Sequence, residues 1–270
     1  MNNEAIGVFD SGLGGLTAVR EMLEILPNEN IVYFGDTGRV PYGSKSNETI
    51  SKYALQDARF LKKQGVKMIV AACGTVSSVA PDLTEELGVP YTGVVYPTGF
   101  TAIRATRTGR IGVIGTAATI ASHSYKNRIR QKHPEFTVIE QACPLYVPLV
   151  ENGMTDPDDE IVRLVVKRYM QIMKDNGVDT IILGCTHYPL LSDAISREMG
   201  DSVTLIDSGK ETALYTKKIL EENRLLRDES AAPDARYFVS DTPADFEKYA
   251  GIFLKRKIEH HVQQINIEEY

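Results

Sequence analysis

The sequence predicts an α/β protein with parallel sheets. Two observations predict the class: short β-branched runs alternate with amphipathic stretches along the chain, and most of those runs lack polar alternation, as strands buried on both faces of a parallel sheet do. A third bears on organisation. Cys73 and Cys185 close two such runs in near-matching frames, Met68-Ile-Val-Ala-Ala-Cys73-Gly-Thr75 and Thr180-Ile-Ile-Leu-Gly-Cys185-Thr-His187.

In chain order, strands are expected at residues 6–9, 31–34, 68–71, 92–95, 111–114, 137–140, 180–183 and 203–206, each a short apolar or β-branched run. Helix-like segments lie between them, notably 47–64 and 158–176. The second has Thr155 or Asp156 as a candidate cap, Pro157 in its first turn and acidic residues after it. Ile161, Val165, Tyr169 and Ile172 share one face at helical spacing, and Gly177 stops the helix. This β-α alternation reads as parallel sheets joined by helices. Ile6-Gly-Val-Phe-Asp10-Ser-Gly12 is echoed by Thr204-Leu-Ile-Asp207-Ser-Gly209 and by Ile111-Gly-Val-Ile-Gly-Thr116. The echoes fit two similar halves, or strand-then-turn units common to any α/β protein. The tail from Ile258 reads as a terminal helix or strand.

The 270 residues suffice for one large domain or two small ones. A net charge of −6 without a long basic run argues against nucleic acid as a partner. It leaves room for an anionic substrate, because local backbone N–H groups can override the global sign. Three cysteines, an odd number, argue against a disulfide framework and fit a reducing cytosol. No basic, apolar leader opens the chain, and no apolar run approaches the ~20 residues of a membrane helix. A cytoplasmic protein without a membrane partner is expected.

Paired cysteines at equivalent strand ends, each opening a helix, suit two thiols facing one another across a cleft. A helix N-terminus lowers a thiol's pKa. Opposed thiols provide one acid and one base on opposite faces of a small molecule. Cys143 lacks such a frame and is assigned to packing. His187 is placed to tune Cys185 or to donate to a carboxylate. No Cys-x-x-Cys or His-x-x-x-His pattern supports a metal. His123, His133, His260 and His261 are expected at the surface. Asp10-Ser11-Gly12-Leu-Gly14-Gly15 follows the first strand, where ligands of open α/β sheets bind. Its spacing is neither a dinucleotide fingerprint nor a P-loop, and a small carboxylate suits it better than a nucleotide. Tyr42, Gly43 and Ser44 offer hydroxyls and an N–H from a turn. Gly115-Thr116-Ala-Ala-Thr119 could present the same groups, or simply cap a helix. Glu151, alone, is an ordinary solvated acid.

Taken together, Ile6–Thr17, Tyr33–Arg39 with Pro41-Tyr42-Gly43, Cys73, Cys143-Pro144 with Val150-Glu151, and Leu183-Gly-Cys-Thr-His-Tyr-Pro-Leu-Leu191 resemble the glutamate racemases of the cofactor-independent aspartate/glutamate racemase superfamily. The resemblance spans almost the whole chain. It implies two similar parallel-sheet α/β domains with the active site between them: residues 1–96 plus 208–270, and residues 97–207. It implies interconversion of L- and D-glutamate without cofactor or metal, and a supply of D-glutamate for peptidoglycan. Cys73 and Cys185 would be the acid–base thiols, the first deprotonating the D-isomer and the second the L-isomer. Asp10, Glu151 and His187 would assist. Asp10, Ser11, Tyr42, Gly43, Gly74, Thr75, Thr116, Thr119, Thr186 and His187 would hold the substrate. A homodimer is a further implication. One departure stands out: Cys73-Gly74-Thr75 replaces the family's usual Cys-Asn-Thr, removing an amide that contacts substrate. Losing such a contact costs on the order of 1 kcal/mol. Three other readings stay open: a racemase for another amino acid such as aspartate, a non-catalytic amino-acid-binding protein, and a thiol redox protein.

Overall fold

A computed structural model describes residues 3–80, 82–227, 232–258 and 262–270. Its strands form two all-parallel sheets. The first carries β1 (Ala5–Asp10), β2 (Ile31–Gly35), β3 (Val66–Ala71) and β4 (Tyr91–Gly93), joined late in the chain by β9 (Ala235–Val239) and β10 (Gln263–Gln264). The second holds β5 (Arg110–Gly115), β6 (Thr137–Ala142), β7 (Thr180–Leu183) and β8 (Thr204–Asp207). Their orders are β10-β9-β2-β1-β3-β4 and β6-β5-β7-β8. β1 lies between β2 and β3, with Val8 opposite Tyr33 and Val70. In the second sheet, Ile111 of β5 pairs with Val138 and Thr180.

The first three strands are buried along their whole length, as their unbroken apolar runs require. One strand escaped the sequence reading, and the tail from Ile258 contributes the short β10. β9 contains Arg236 and reads as mixed, yet it pairs with β2 throughout. The fourth run splits: β4 ends at Gly93, and Val95 already begins the helix Val95–Ala105.

The helix expected at 47–64 forms as Asn47–Lys63, with Ser46 accepting a bond from the Thr49 N–H. The other expected helix is shorter and turned. It spans Glu160–Asp175 and is capped by Asp159, whose carboxylate accepts from the Ile161 and Val162 amides. Thr155, Asp156 and Pro157 precede it. Its buried side chains are Val162, Val166, Tyr169, Met170 and Met173, whereas Ile161 and Ile172 are 54% and 38% exposed. Val162, Val166, Met170 and Met173 form the buried stripe, one residue round from the expected one, with Tyr169 common to both. Gly177 follows at φ +59°, the left-handed conformation that stops a helix.

The echo between the first and last strands of the reading has a local cause. Asp10 accepts a bond from the Gly12 amide at 2.9 Å, and Asp207 accepts from Gly209 at 2.8 Å. Both are Asp-x-Gly turns closing a parallel strand. His260 and His261 lie outside the described residues; His123 is exposed and His133 half-buried. Among the described residues, no helix is long and apolar enough to cross a membrane.

Asp159→Ala should destabilise the fold by about 1 kcal/mol, the usual worth of an N-cap, with a smaller effect from Asp156→Ala. Urea unfolding of both variants checks the assignment.

Candidate active site

Parallel strands deliver their C-terminal ends to one edge of a sheet, and the loops after β1, β3, β5 and β7 meet there. After β1, Tyr33 donates to the Gly12 carbonyl at 2.7 Å and holds the glycine turn. The Thr17 hydroxyl reaches the carbonyls of Gly14 and Thr186, each at 2.9 Å. The second of these bonds ties the first sheet's leading helix, Leu16–Ile25, to the segment after β7.

Three glycines set how closely the two sheets approach. A Cβ at Gly14 would lie 2.2 Å from Thr186 Oγ1, one at Gly43 would lie 2.9 Å from Thr116 Cβ, and one at Gly74 would lie 2.2 Å from the Gly184 carbonyl oxygen and 3.7 Å from Cys185 Cα. The residue after the first cysteine thus rests on the backbone just before the second. Hydroxyls bridge the same seam: Thr75 Oγ1 and Thr116 Oγ1 are 2.9 Å apart, and Thr116 Oγ1 donates to Thr119 Oγ1 at 3.1 Å. Thr116 also caps its short helix by accepting from the Thr119 amide, so capping and cleft lining coexist in one residue.

Cys73 and Cys185 are buried and free. Cys73 caps the six-residue helix Gly74–Val79, and its sulfur lies 3.6 Å from Ser11 Oγ. The expected acidification by that helix is overturned. Burial first, then the nearby Asp10 carboxylate, push the Cys73 thiol up to about 12. One short turn of amides cannot offset the lost hydration. Nor does Cys185 open an α-helix; a 3-10 turn, Tyr188–Leu191, follows it.

His187 is the cation of the site. Its Nδ1 lies 3.8 Å from Cys185 Sγ, and its Nε2 lies 3.1 Å from Glu151 Oε1. Burial opposes its charge, but Cys185, Glu151 and Asp10 outweigh it and raise the imidazole to about 10. Phe253 meets the ring edge-on at 5.3 Å. Asp10 is buried, with Oδ1 engaged by Gly12 and Oδ2 lacking any hydrogen-bond partner. Burial raises its pKa, with His187 and backbone amides pulling the other way.

Tyr42 differs from expectation. Its hydroxyl is buried against the Asp36 and Asp57 carboxylates, so the turn Tyr42–Ser44 can offer the seam only its backbone and Gly43. Thr17 and Phe253 are not among the expected site residues; Thr17 ends the stretch Ile6–Thr17, two residues past the glycine-rich motif, and that adjacency is its only signal. Cys143 is fully buried, and its carbonyl accepts the Tyr188 hydroxyl at 3.0 Å, which fits packing.

The charge on His187 makes a testable statement. Its folded pKa is raised, so its pairing contributes fully below the ordinary 6.5 and is lost as pH rises through about 10. NMR should show imidazolium signals through neutral pH and a change only near about 10. A midpoint near the ordinary value would show the pairing absent.

Comparison with known proteins places this cleft. The family model for Asp/Glu/Hydantoin racemase matches residues 6–216. A glutamate racemase of Geobacter metallireducens is 46% identical, covering 98% of this chain and 97% of that one. The glutamate racemase of Francisella tularensis, solved in complex with D-glutamate, superposes with a TM-score of 0.92 at 38% identity, covering 100% of both chains. That of Thermus thermophilus, in complex with beta-chloro-D-alanine, has a TM-score of 0.89 at 39% identity, covering 100% of this chain and 99% of that one. With that agreement in sequence and fold over nearly the full length, the chain belongs to the Asp/Glu/hydantoin racemase family and, within it, to the glutamate racemases.

Proposed function

We propose that this cleft inverts the α-carbon of glutamate by two-thiol proton transfer, with Cys73 and Cys185 on opposite faces of the substrate. The observation that carries the reading is the placement of two free cysteines at the ends of strands in different sheets, joined at a seam where Gly74 touches the Gly184 carbonyl.

Inversion needs a proton removed from one face and another delivered to the opposite face. One sulfur takes the α-proton as thiolate, forming an S–H bond while the C–H bond breaks. The other, as thiol, gives its proton to the carbanion-like carbon and becomes thiolate. The surroundings of the two sulfurs suit different opening states. Cys73 has a carboxylate neighbour and holds its proton. Cys185 stands beside the His187 cation, which Glu151 supports from the far side. That contrast favours a cycle in which Cys185 accepts the L-isomer's proton and Cys73 delivers one to the opposite face. Asp10 Oδ2, buried without a partner, is an acceptor for the substrate ammonium. Ser11, Thr75, Thr116, Thr119 and Thr186, with the backbone of Tyr42, Gly43 and Gly74, would hold the carboxylates.

Positioned acid–base catalysis contributes about 10²–10⁴-fold. The remainder must come from oriented N–H and O–H dipoles around a carbanion in a site closed to water. Every proton-transfer step uses the chain's own side chains. The product, D-glutamate, would supply peptidoglycan synthesis, the role of this family. The two sheets would act as the two domains, with changeovers near residues 96 and 208, and the homodimer and cytoplasmic location belong to the same reading.

Loss of the α-proton from D- and L-glutamate in D₂O, followed by NMR and circular dichroism, tests it. Wild type should exchange and invert both isomers, whereas Cys73→Ala and Cys185→Ala should each lose at least about 10²-fold in racemisation. Inversion of aspartate rather than glutamate would move the substrate, and full activity in either variant would sink the two-thiol scheme. Gly74 provides a second test. If only a missing amide mattered, Gly74→Asn would raise activity and Gly74→Ala would leave it unchanged. The contact with Gly184 predicts instead that both lower kcat/KM by about tenfold or more, because any Cβ forces the seam apart.

A further inference from the structure

We propose that Arg39 is a positioning residue for the turn Tyr42–Ser44, and thereby for the cleft wall at Gly43, by binding that turn to the last residues of the chain. Arg39 touches no reacting group. Its side chain, 11% exposed, spends its donors in four directions. Nε donates to Asp36 Oδ2 at 2.6 Å, Nη2 to Asp57 Oδ1 at 3.0 Å, and Nη1 to Gln56 Oε1 at 2.6 Å and Glu268 Oε1 at 3.3 Å. The guanidinium carbon sits 3.9 Å from the Tyr53 ring centroid, with Lys45 Nζ 6.0 Å from the same centroid. A planar fork stacked on a ring is a geometry that lysine cannot reproduce.

Both carboxylates held by Arg39 also receive the Tyr42 hydroxyl, at 3.1 Å in the case of Asp57 Oδ2. The other oxygen of Asp36 accepts from Ser240 Oγ at 2.7 Å, and the same Ser240 oxygen receives the Gly38 amide at 2.9 Å. Ser240 immediately follows β9, and Glu268 lies in the 3-10 turn Ile267–Glu269. That turn is anchored by buried Ile267 and by the Tyr270 ring, edge-on to Phe60 at 5.2 Å. Three segments remote in sequence thus converge on one guanidinium, and the loop they fix carries Gly43. At Gly43 a Cβ would lie 2.9 Å from Thr116 Cβ, so a small displacement of the turn is felt across the seam.

The cluster's charge supports the assignment. Two buried carboxylates face one guanidinium, and Glu268 on the exposed side meets it only at the rim. Burial, then the Asp36 charge, push the Asp57 pKa upward, while Arg39 and the Tyr42 hydroxyl pull it back.

The kinetic arm of the test rests on the reading that Gly43 lines the substrate site; the exchange arm does not. Full-length Arg39→Gln, Arg39→Lys and Glu268→Ala would be compared by racemisation kinetics and by amide hydrogen exchange. Arg39→Gln is expected to speed exchange at the Tyr42–Ser44 turn and at Ile267–Glu269. It should also raise KM for both isomers about tenfold with kcat within about twofold. Arg39→Lys should fall between it and wild type. Unchanged exchange at the turn in Arg39→Gln, or loosening spread evenly over the whole chain, would overturn the proposal. Faster exchange at the turn with unchanged KM would sustain Arg39 as its anchor and overturn Gly43 as part of the substrate site. Should Arg39→Gln fail to fold, Glu268→Ala decides, because it removes the tail's acceptor at an exposed side chain. Faster exchange at the turn supports the proposal, and wild-type exchange there overturns it.

Discussion

The site depends on backbone meeting backbone. Gly74 lies against the Gly184 carbonyl with no room for a side chain between them. One of these residues follows the first cysteine and the other precedes the second. Their contact therefore limits how near the two strand ends can come. Gly14 and Gly43 leave similarly little room, there against the side chains of Thr186 and Thr116. Acid–base chemistry on both faces of one carbon tolerates little error in the distance between acid and base. At Gly74 that distance is limited by backbone instead of mobile side chains, and β1 and β7 behind the seam are paired on both sides.

The same closeness creates the electrostatic asymmetry. Two thiols in similar frames would behave alike if their neighbours were alike. Asp10 approaches Cys73 because the turn after β1 packs beside the end of β3, and the strands pair in parallel there. His187 approaches Cys185 because it lies two residues beyond it, and Glu151 reaches His187 from a separate helix, Tyr146–Glu151. An anion at one thiol and a cation at the other follow from the fold's topology. In a buried site such neighbours outweigh the weak dipole of a single helical turn.

These facts were unevenly legible in the sequence. The strands that form the cleft edge could be read because burial on both faces leaves an unbroken apolar run. The two cysteine frames could be read because strand, thiol and small residues are contiguous. Asp159 was hidden among competing acids, since Asp156, Asp158 and Asp159 all sit near the helix start and only backbone geometry selects one. The thiol of Cys73 was misjudged because burial is a property of the packed molecule. The fate of the Tyr42 hydroxyl was out of reach for a related reason. Its carboxylate partners belong to the end of β2 and to the helix Asn47–Lys63, and neither stands next to it in the chain. Gly74 showed a departure from the family pattern, but its contact with Gly184 joins segments from different sheets.

The proposed two-thiol scheme carries a requirement on charge. After one passage from L to D, the proton has moved to Cys185 and the negative charge to Cys73. That sulfur would then sit beside the Asp10 carboxylate, and two neighbouring anions in a buried cleft repel strongly. In the proposed scheme the substrate ammonium, held at Asp10, is the counter-charge that offsets this repulsion. His187 works in the opposite sense at the other thiol: its cation favours the opening state, and Glu151, half exposed, keeps that cation paired as the sulfur beside it gains a proton. A reversible two-thiol scheme needs a positive neighbour on each side, the substrate ammonium at Asp10 and the imidazolium of His187, and these meet where the turn after β1 packs against the loop after β7 at Gly14.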